Sequence, residues 1–168
     1  MPRLPAHAER LVDLALEEDL LLGDATSEAT IDATARGEGR FLAKEDLVLA
    51  GGAVAVRVFE RLGAECRLDR EDGARVARGE LFGTASGPVR ALLAAERTAL
   101  NFLQRLSGVA TATRRCVDAL AAGGGRTRLL DTRKTTPGWR MLEKAAKKAA
   151  KKTARKPARR AKRGAKKR

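Results

Sequence analysis

Tyrosine is absent from this chain, and tryptophan and histidine occur once each, as Trp139 and His7. Aromatic residues make up 3% of the sequence, and none falls in the Lys- and Arg-rich C-terminal stretch. Any nucleic acid met there would be held by its phosphates, not by stacked bases. His7 lies close to the N-terminus and is expected to be a solvated side chain, neither ligand nor base. The two cysteines, Cys66 and Cys116, have no paired spacing. That excludes a disulfide framework or a cysteine metal site, leaves buried thiols as the expectation, and fits a reducing cytoplasm. Long apolar runs are missing too: nothing approaches the ~20 residues of a membrane span. Pro2, Pro5 and His7 interrupt the first residues, so no signal peptide is read there. A soluble, cytoplasmic protein is expected.

What the chain does contain is enough apolar material, 43% of 168 residues, for a packed core of ordinary domain size. The formal net charge of +14 suggests a polyanion binder until its location is considered. Residues 147–168 hold 13 Lys or Arg and no acidic residue, and subtracting those 13 leaves +1 for the rest. The basicity belongs to this tail, and a polyanion argument applies only there.

Residues 6–22 carry Leu11, Leu14, Ala15 and Leu22 among charged positions, which predicts an amphipathic helix ended by Gly23. Residues 24–36 have the composition of a loop. Short strands, or one bent strand, are expected over 39–44 and 47–50, with a turn at Gly51 and Gly52. Val54, Val58, Phe59 and Leu62 predict a helix over 53–62, closed by Gly63. Residues 65–68, 74–78 and 81–84 read as short strands around polar turns. Pro88 opens a helix striped by Leu92, Ala95, Ala99, Leu103 and Leu106, which should break or kink at Ser107 and Gly108. A second helix is expected over 109–120, a glycine linker at 123–125, a strand over 127–131, and a helix over 140–150 with Met141, Leu142 and Ala145 as its apolar side. Residues 147–168 are expected to be disordered or transiently helical, because their repeats offer almost no apolar face and their like charges repel.

The apolar pair Leu129 and Leu130 delivers Asp131-Thr132-Arg133-Lys134-Thr135-Thr136 into a turn built by Pro137 and Gly138. Adjacent cations followed by hydroxyls suit a carboxylate or phosphate, Arg by bidentate contact and Lys as a movable charge. Solvated loop cations would give the same pattern. A second stretch, ERTALNFLQRLSG at 96–108, lies upstream of DTRKTTPGWRMLEK. Together with LALEEDLLLGDATSEATI, RFLAKEDLVLAGG and DGARVARGELFG, these segments resemble the quinolinate phosphoribosyltransferase family over about residues 9–144. After LEK the resemblance stops. The family continues with barrel sequence containing a Gly-rich stretch and an Asn-His-Arg, whereas here Ala145 leads into Lys and Ala repeats.

The resemblance implies an α+β fold: a two-layer N-terminal α/β sandwich domain with its long helix (1–108), then the first strand-helix unit of an incomplete α/β barrel (109–146), then the basic tail (147–168). It implies transfer of phosphoribosyl from 5-phosphoribosyl 1-pyrophosphate to quinolinate, with loss of CO₂, giving nicotinate mononucleotide in NAD biosynthesis. Mg²⁺ as cofactor and a homodimer come with it. Arg97 corresponds to an arginine that the family donates across the dimer interface to the dicarboxylate, and Thr132, Arg133 and Lys134 to its anion-binding segment. Trp139 is expected to pack. Arg105 and Arg140 fall in matching segments but are left out of the site. The family's acidic, His-Arg, Lys and phosphate-loop residues on later barrel strands have no counterpart, so an incomplete form is expected, with Mg²⁺ ligands unidentifiable. The rival expectation is a non-enzymatic protein whose tail binds nucleic acid without sequence preference.

Overall fold

The computed structural model describes residues 4–20, 23–124 and 127–153. Their elements run α1 (Ala6–Leu20), α2 (Ala25–Thr30), β1 (Arg36–Leu42), β2 (Leu47–Val48), α3 (Gly52–Arg61), β3 (Glu65–Leu68), β4 (Arg75–Val76), β5 (Leu81–Pro88), α4 (Val89–Ala122) and α5 (Arg140–Thr153). Antiparallel strands form a sheet in the order β1-β5-β3, and β2 pairs with β4. Helices pack over the sheet, giving the α+β architecture with two layers. The central member is α4, which touches α1, α3, α5 and strands of both sheets.

Phe102, Leu103 and Leu106 of α4 meet Val54, Val58 and Phe59 of α3 and Phe41 and Phe82 of the sheet in one core. Phe41 lies 6.0 Å from Phe59 and 5.7 Å from Phe82 by ring centroid, so three of the few aromatics close the sheet onto α3. The turn before α3 runs against α4: at Gly51, φ is 92°, and a Cβ there would lie 2.6 Å from Leu106 Cδ1. Its N–H and that of Gly52 donate to the two Asp72 carboxylate oxygens, each at 3.0 Å, satisfying the donors at the start of α3.

Several expectations need correction. The helix after Pro88 does not break at Ser107 and Gly108; α4 is continuous for 34 residues. Ser107 Oγ is engaged across the core, accepting from Ala50 N–H at 3.1 Å and donating to Ala50 O at 3.3 Å, instead of competing for its own helix backbone. Packing on α3 and α5 outweighs the ~1 kcal/mol that a helical glycine costs. In α1 the buried spine is Ala8, Val12 and Leu16, while Leu14 is 60% exposed. The helix is rotated by Arg57 and Arg61 of α3, which grip Glu9 and Asp13 at 2.7 to 3.0 Å. The stretch taken as loop contains α2, whose cap Asp24 accepts from Ser27 N–H at 3.1 Å.

Residues 127–131 form no strand. A parallel barrel strand exists only as part of a ladder, and no described strand lies alongside; Leu130 is 80% exposed. Conversely, the first repeats of the expected tail are ordered: α5 runs to Thr153. The Lys-Ala spacing places Ala146 and Ala150 in line with Leu142, and all three are buried against α4, a narrow apolar stripe but a sufficient one. Ala145 and Met141 face outward. The remainder of the tail, 154–168, lies outside the described residues. Cys116 is exposed on α4 instead of buried. Cys66 is half-buried on β3, and burial, with Glu60 nearby, pushes its thiol up to about 11, so it stays protonated and unreactive at neutral pH. Among the described residues no helix is long and apolar enough to cross a membrane.

Candidate anion site

Residues 131–139, ahead of α5, are anchored at several points against α1, α4 and α5. Trp139 stacks on Phe102 with centroids 4.9 Å apart and rings 27° from parallel, which makes the expected packing role concrete. His7 Nε2 lies 2.8 Å from Gly138 O, so the lone histidine is exposed but ties the N-terminus to the turn. Thr136 Oγ1 accepts from Arg105 Nη2 at 2.5 Å, and the same nitrogen reaches Glu143 Oε1 at 3.3 Å. Arg140 Nη2 donates to Arg133 O at 3.2 Å. At the upstream end, Lys151 of α5 pairs with Asp131 at 3.4 Å.

These anchors leave Thr132, Arg133 and Lys134 exposed on one short arc. Thr132 Oγ1 accepts from Lys134 N–H at 3.1 Å, a local hydroxyl turn that shapes the arc and leaves the hydroxyl proton free to be given. Among the described residues, neither the Arg133 guanidinium nor the Lys134 ammonium has an ion-pair partner. Lys151 offsets the charge of Asp131, the only nearby carboxylate in the segment. The arc can therefore grip an anion by charge and by hydrogen bonds.

Arg97 is not brought to this arc. It sits on α4 about 12 Å before Arg105 at ~1.5 Å rise per residue and reaches toward α1, where Asp19 Oδ1 lies 2.6 Å from Nη1. Asp19 holds the guanidinium above its ordinary value, while 72% of the Arg97 side chain remains exposed. Arg105 and Arg140, left out of the site on sequence grounds, support the segment, and Glu143 is the supporting residue that sequence reading missed. Glu143 could have been found: it shares helical phase with the buried Ala146 and Ala150, so its carboxylate faces α4. The implied Mg²⁺ has no ready-made carboxylate cage among the described residues. Among those described, no group of three or more His, Cys, Asp or Glu can hold a metal ion, and Asp131 is committed to Lys151.

The antiparallel sheet backed by α3 and the long α4, followed by an exposed cationic segment and a further helix, defines the class as an α+β protein. The family model described as the N-terminal domain of quinolinate phosphoribosyl transferase matches residues 24–107, and that for its C-terminal domain matches 109–155. The chain belongs to the quinolinate phosphoribosyltransferase family. It is 40% identical over 149 residues to quinolinate phosphoribosyltransferase [decarboxylating] 1 of Nicotiana glauca, a match covering 84% of this chain and 41% of that protein. Against the probable nicotinate-nucleotide pyrophosphorylase [carboxylating] of Bacillus subtilis the identity is 39%, over 82% of this chain and 47% of that one. The nicotinate-nucleotide pyrophosphorylase structure from Francisella tularensis superposes with a TM-score of 0.82 at 34% identity, covering 88% of this chain and 52% of that one. NadC from Streptococcus pyogenes gives the same TM-score at 38% identity. The chain thus spans about two fifths to one half of the length of these relatives.

Proposed function

We propose that this chain contributes the N-terminal domain and the opening anion segment to quinolinate phosphoribosyl transfer, in which phosphoribosyl passes from 5-phosphoribosyl 1-pyrophosphate to the quinolinate nitrogen and CO₂ is lost, yielding nicotinate mononucleotide. The observation that carries this is the arc of Thr132, Arg133 and Lys134, anchored on α4 yet free of internal anions. Arg133 and Lys134 take a carboxylate or phosphate, and Thr132 adds a hydroxyl. Arg97, remote from its own arc, serves the dicarboxylate of a second subunit in a homodimer. Exposed Leu42 and Leu93, beside a groove of about 580 Å³ between β1 and α4, supply apolar surface for such a contact. The reading places the protein in the cytoplasm, in keeping with two unpaired thiols.

Quinolinate titrated into the folded chain, followed by the emission of Trp139, tests this. Two charge-assisted contacts at ~1.5 to 3 kcal/mol each, reduced by the ordering cost of binding, place Kd in the millimolar range, where 1 mM is ~4.1 kcal/mol. Replacing both Arg133 and Lys134 by Ala should abolish the response. A response unaffected by that double substitution would remove the arc from the site.

One observation favours a second activity for the tail. Lys144, Lys148 and Lys152 recur every fourth residue on the exposed side of α5 and lead into the cations of 154–168. This face and the tail form a phosphate-directed nucleic-acid contact without sequence preference. Affinity for duplex DNA should fall with salt at a slope near −0.9 per phosphate neutralised. It should be lost when 154–168 is deleted and the three lysines are changed to Gln. Binding indifferent to salt would sink the idea.

A further inference from the structure

Glu143 is an anion buried to 5% exposure that the proposed chemistry does not use. Burial pushes its carboxyl up. The Thr136 hydroxyl and N–H, the Arg105 guanidinium and Lys147 together outweigh that and hold it below the usual range, so it is ionised at neutral pH. Lys147 Nζ, 4.0 Å from Oε2, is a weak contact on the same helix. Arg105 Nη2, shared between Glu143 Oε1 and Thr136 Oγ1, comes from α4. The three residues thus join both helices to a point two residues past Lys134.

We propose that Glu143 is the positioning residue of the anion arc: through Arg105 and Thr136 it holds Arg133 and Lys134 in the arrangement that grips a carboxylate, without touching the ligand. The inference rests on the reading of this arc as a dicarboxylate site. Its physical basis is that an arc carrying adjacent cations repels itself and costs entropy to order, so a pre-set backbone binds more tightly than a free one. The other anchors act at different points: Trp139 and His7 fix the turn after the arc, Lys151 fixes Asp131 before it, and Arg140 holds the Arg133 carbonyl from α5 alone. The Thr136 contact ties the downstream side of the arc to α4 and α5 at once.

A role confined to docking α5 on α4 would lower the melting temperature of a Glu143 variant and leave the arc unchanged, so the test reads the arc directly. In the full chain, Glu143→Gln should raise Kd for quinolinate about tenfold, equivalent to ~1.4 kcal/mol. Arg105→Gln should do the same, and the double variant should be no weaker than either single, because both act through one bridge. Amide hydrogen exchange at 132–136, measured without ligand, should speed up in both single variants. A folded variant with wild-type affinity overturns the proposal whatever its melting temperature, and so does additive loss in the double variant. Should Glu143→Gln fail to fold, Arg105→Gln carries the test, its side chain being 53% exposed. If the unmodified chain does not bind quinolinate, the functional reading fails, and the exchange rates alone decide the bridge: unchanged rates at 132–136 overturn it.

Discussion

Supplied with quinolinate, 5-phosphoribosyl 1-pyrophosphate and Mg²⁺, the purified 168-residue chain should form nicotinate mononucleotide at least ~10⁵-fold more slowly than a full-length family member. That factor is the lower end of what correct placement of two reactants contributes, about 7 kcal/mol of barrier. The described residues offer one cationic arc for one anion. Nothing among them faces that arc to hold a phosphoribosyl group in line with the pyridine nitrogen, and no acidic cluster is present to organise a metal. An anion held at one end without its reaction partner is bound, not activated. Product detected by chromatography at a rate within tenfold of the full-length enzyme would refute this. If adding a fragment that carries the later barrel strands restores turnover, Arg97→Ala and Lys134→Ala should each abolish it. Failure of Arg97→Ala to do so would sever the cross-subunit role proposed for it.

Much of the fold could be read from the sequence because its signals are local. Gly51, Gly63, Gly79 and Gly138 take positive φ where turns were expected, and α3 and the strands around 65–88 follow from period and punctuation. What misled were features whose outcome depends on tertiary partners. Ser107 and Gly108 read as a break, yet hydrogen bonds to Ala50 and contacts on two sides keep α4 continuous through them. Residues 127–131 read as a strand, yet a strand is a property of its neighbours. The Lys-Ala repeats from 147 on read as disordered or at most transiently helical, yet alanine suffices as an apolar stripe where a long helix lies ready to receive it. The adjacent cations Arg133 and Lys134 were visible in the sequence, but residue type alone left them readable as solvated loop cations, and the family resemblance was what pointed to an anion site. The supports of that site were not visible, because Arg105 and Glu143 lie 38 residues apart and only packing of α5 on α4 makes them neighbours. The Arg97 contact with Asp19 spans 78 residues and was invisible for the same reason.

Replacing Phe102 by Ala should be the most damaging single core change, because this side chain serves two structures at once. It is 1% exposed at the centre of α4 and carries the stack with Trp139 on its outer edge. Truncating a buried phenylalanine costs ~3 to 5 kcal/mol, against a total stability of ~5 to 15 kcal/mol. At ~2 to 4 °C per kcal/mol for a chain of this size, the melting temperature should fall by roughly 6 to 20 °C. The aromatic pair itself supplies ~0.5 to 1.5 kcal/mol of that. Losing it frees the turn at 137–139 from α4, so Trp139 emission should shift to the red while the protein is still folded. Val58→Ala, buried on α3 away from this turn, provides the contrast: a lower melting temperature with Trp139 emission unchanged. Phe102→Leu should keep most of the stability, since the core volume is largely retained, but not the emission, since the ring is gone. Melting followed by circular dichroism, with emission recorded well below the transition, separates the two roles. A Phe102→Ala protein that melts within 2 °C of the unmodified chain, or a Phe102→Leu protein with unshifted emission, would show that Trp139 is held by something other than this stack.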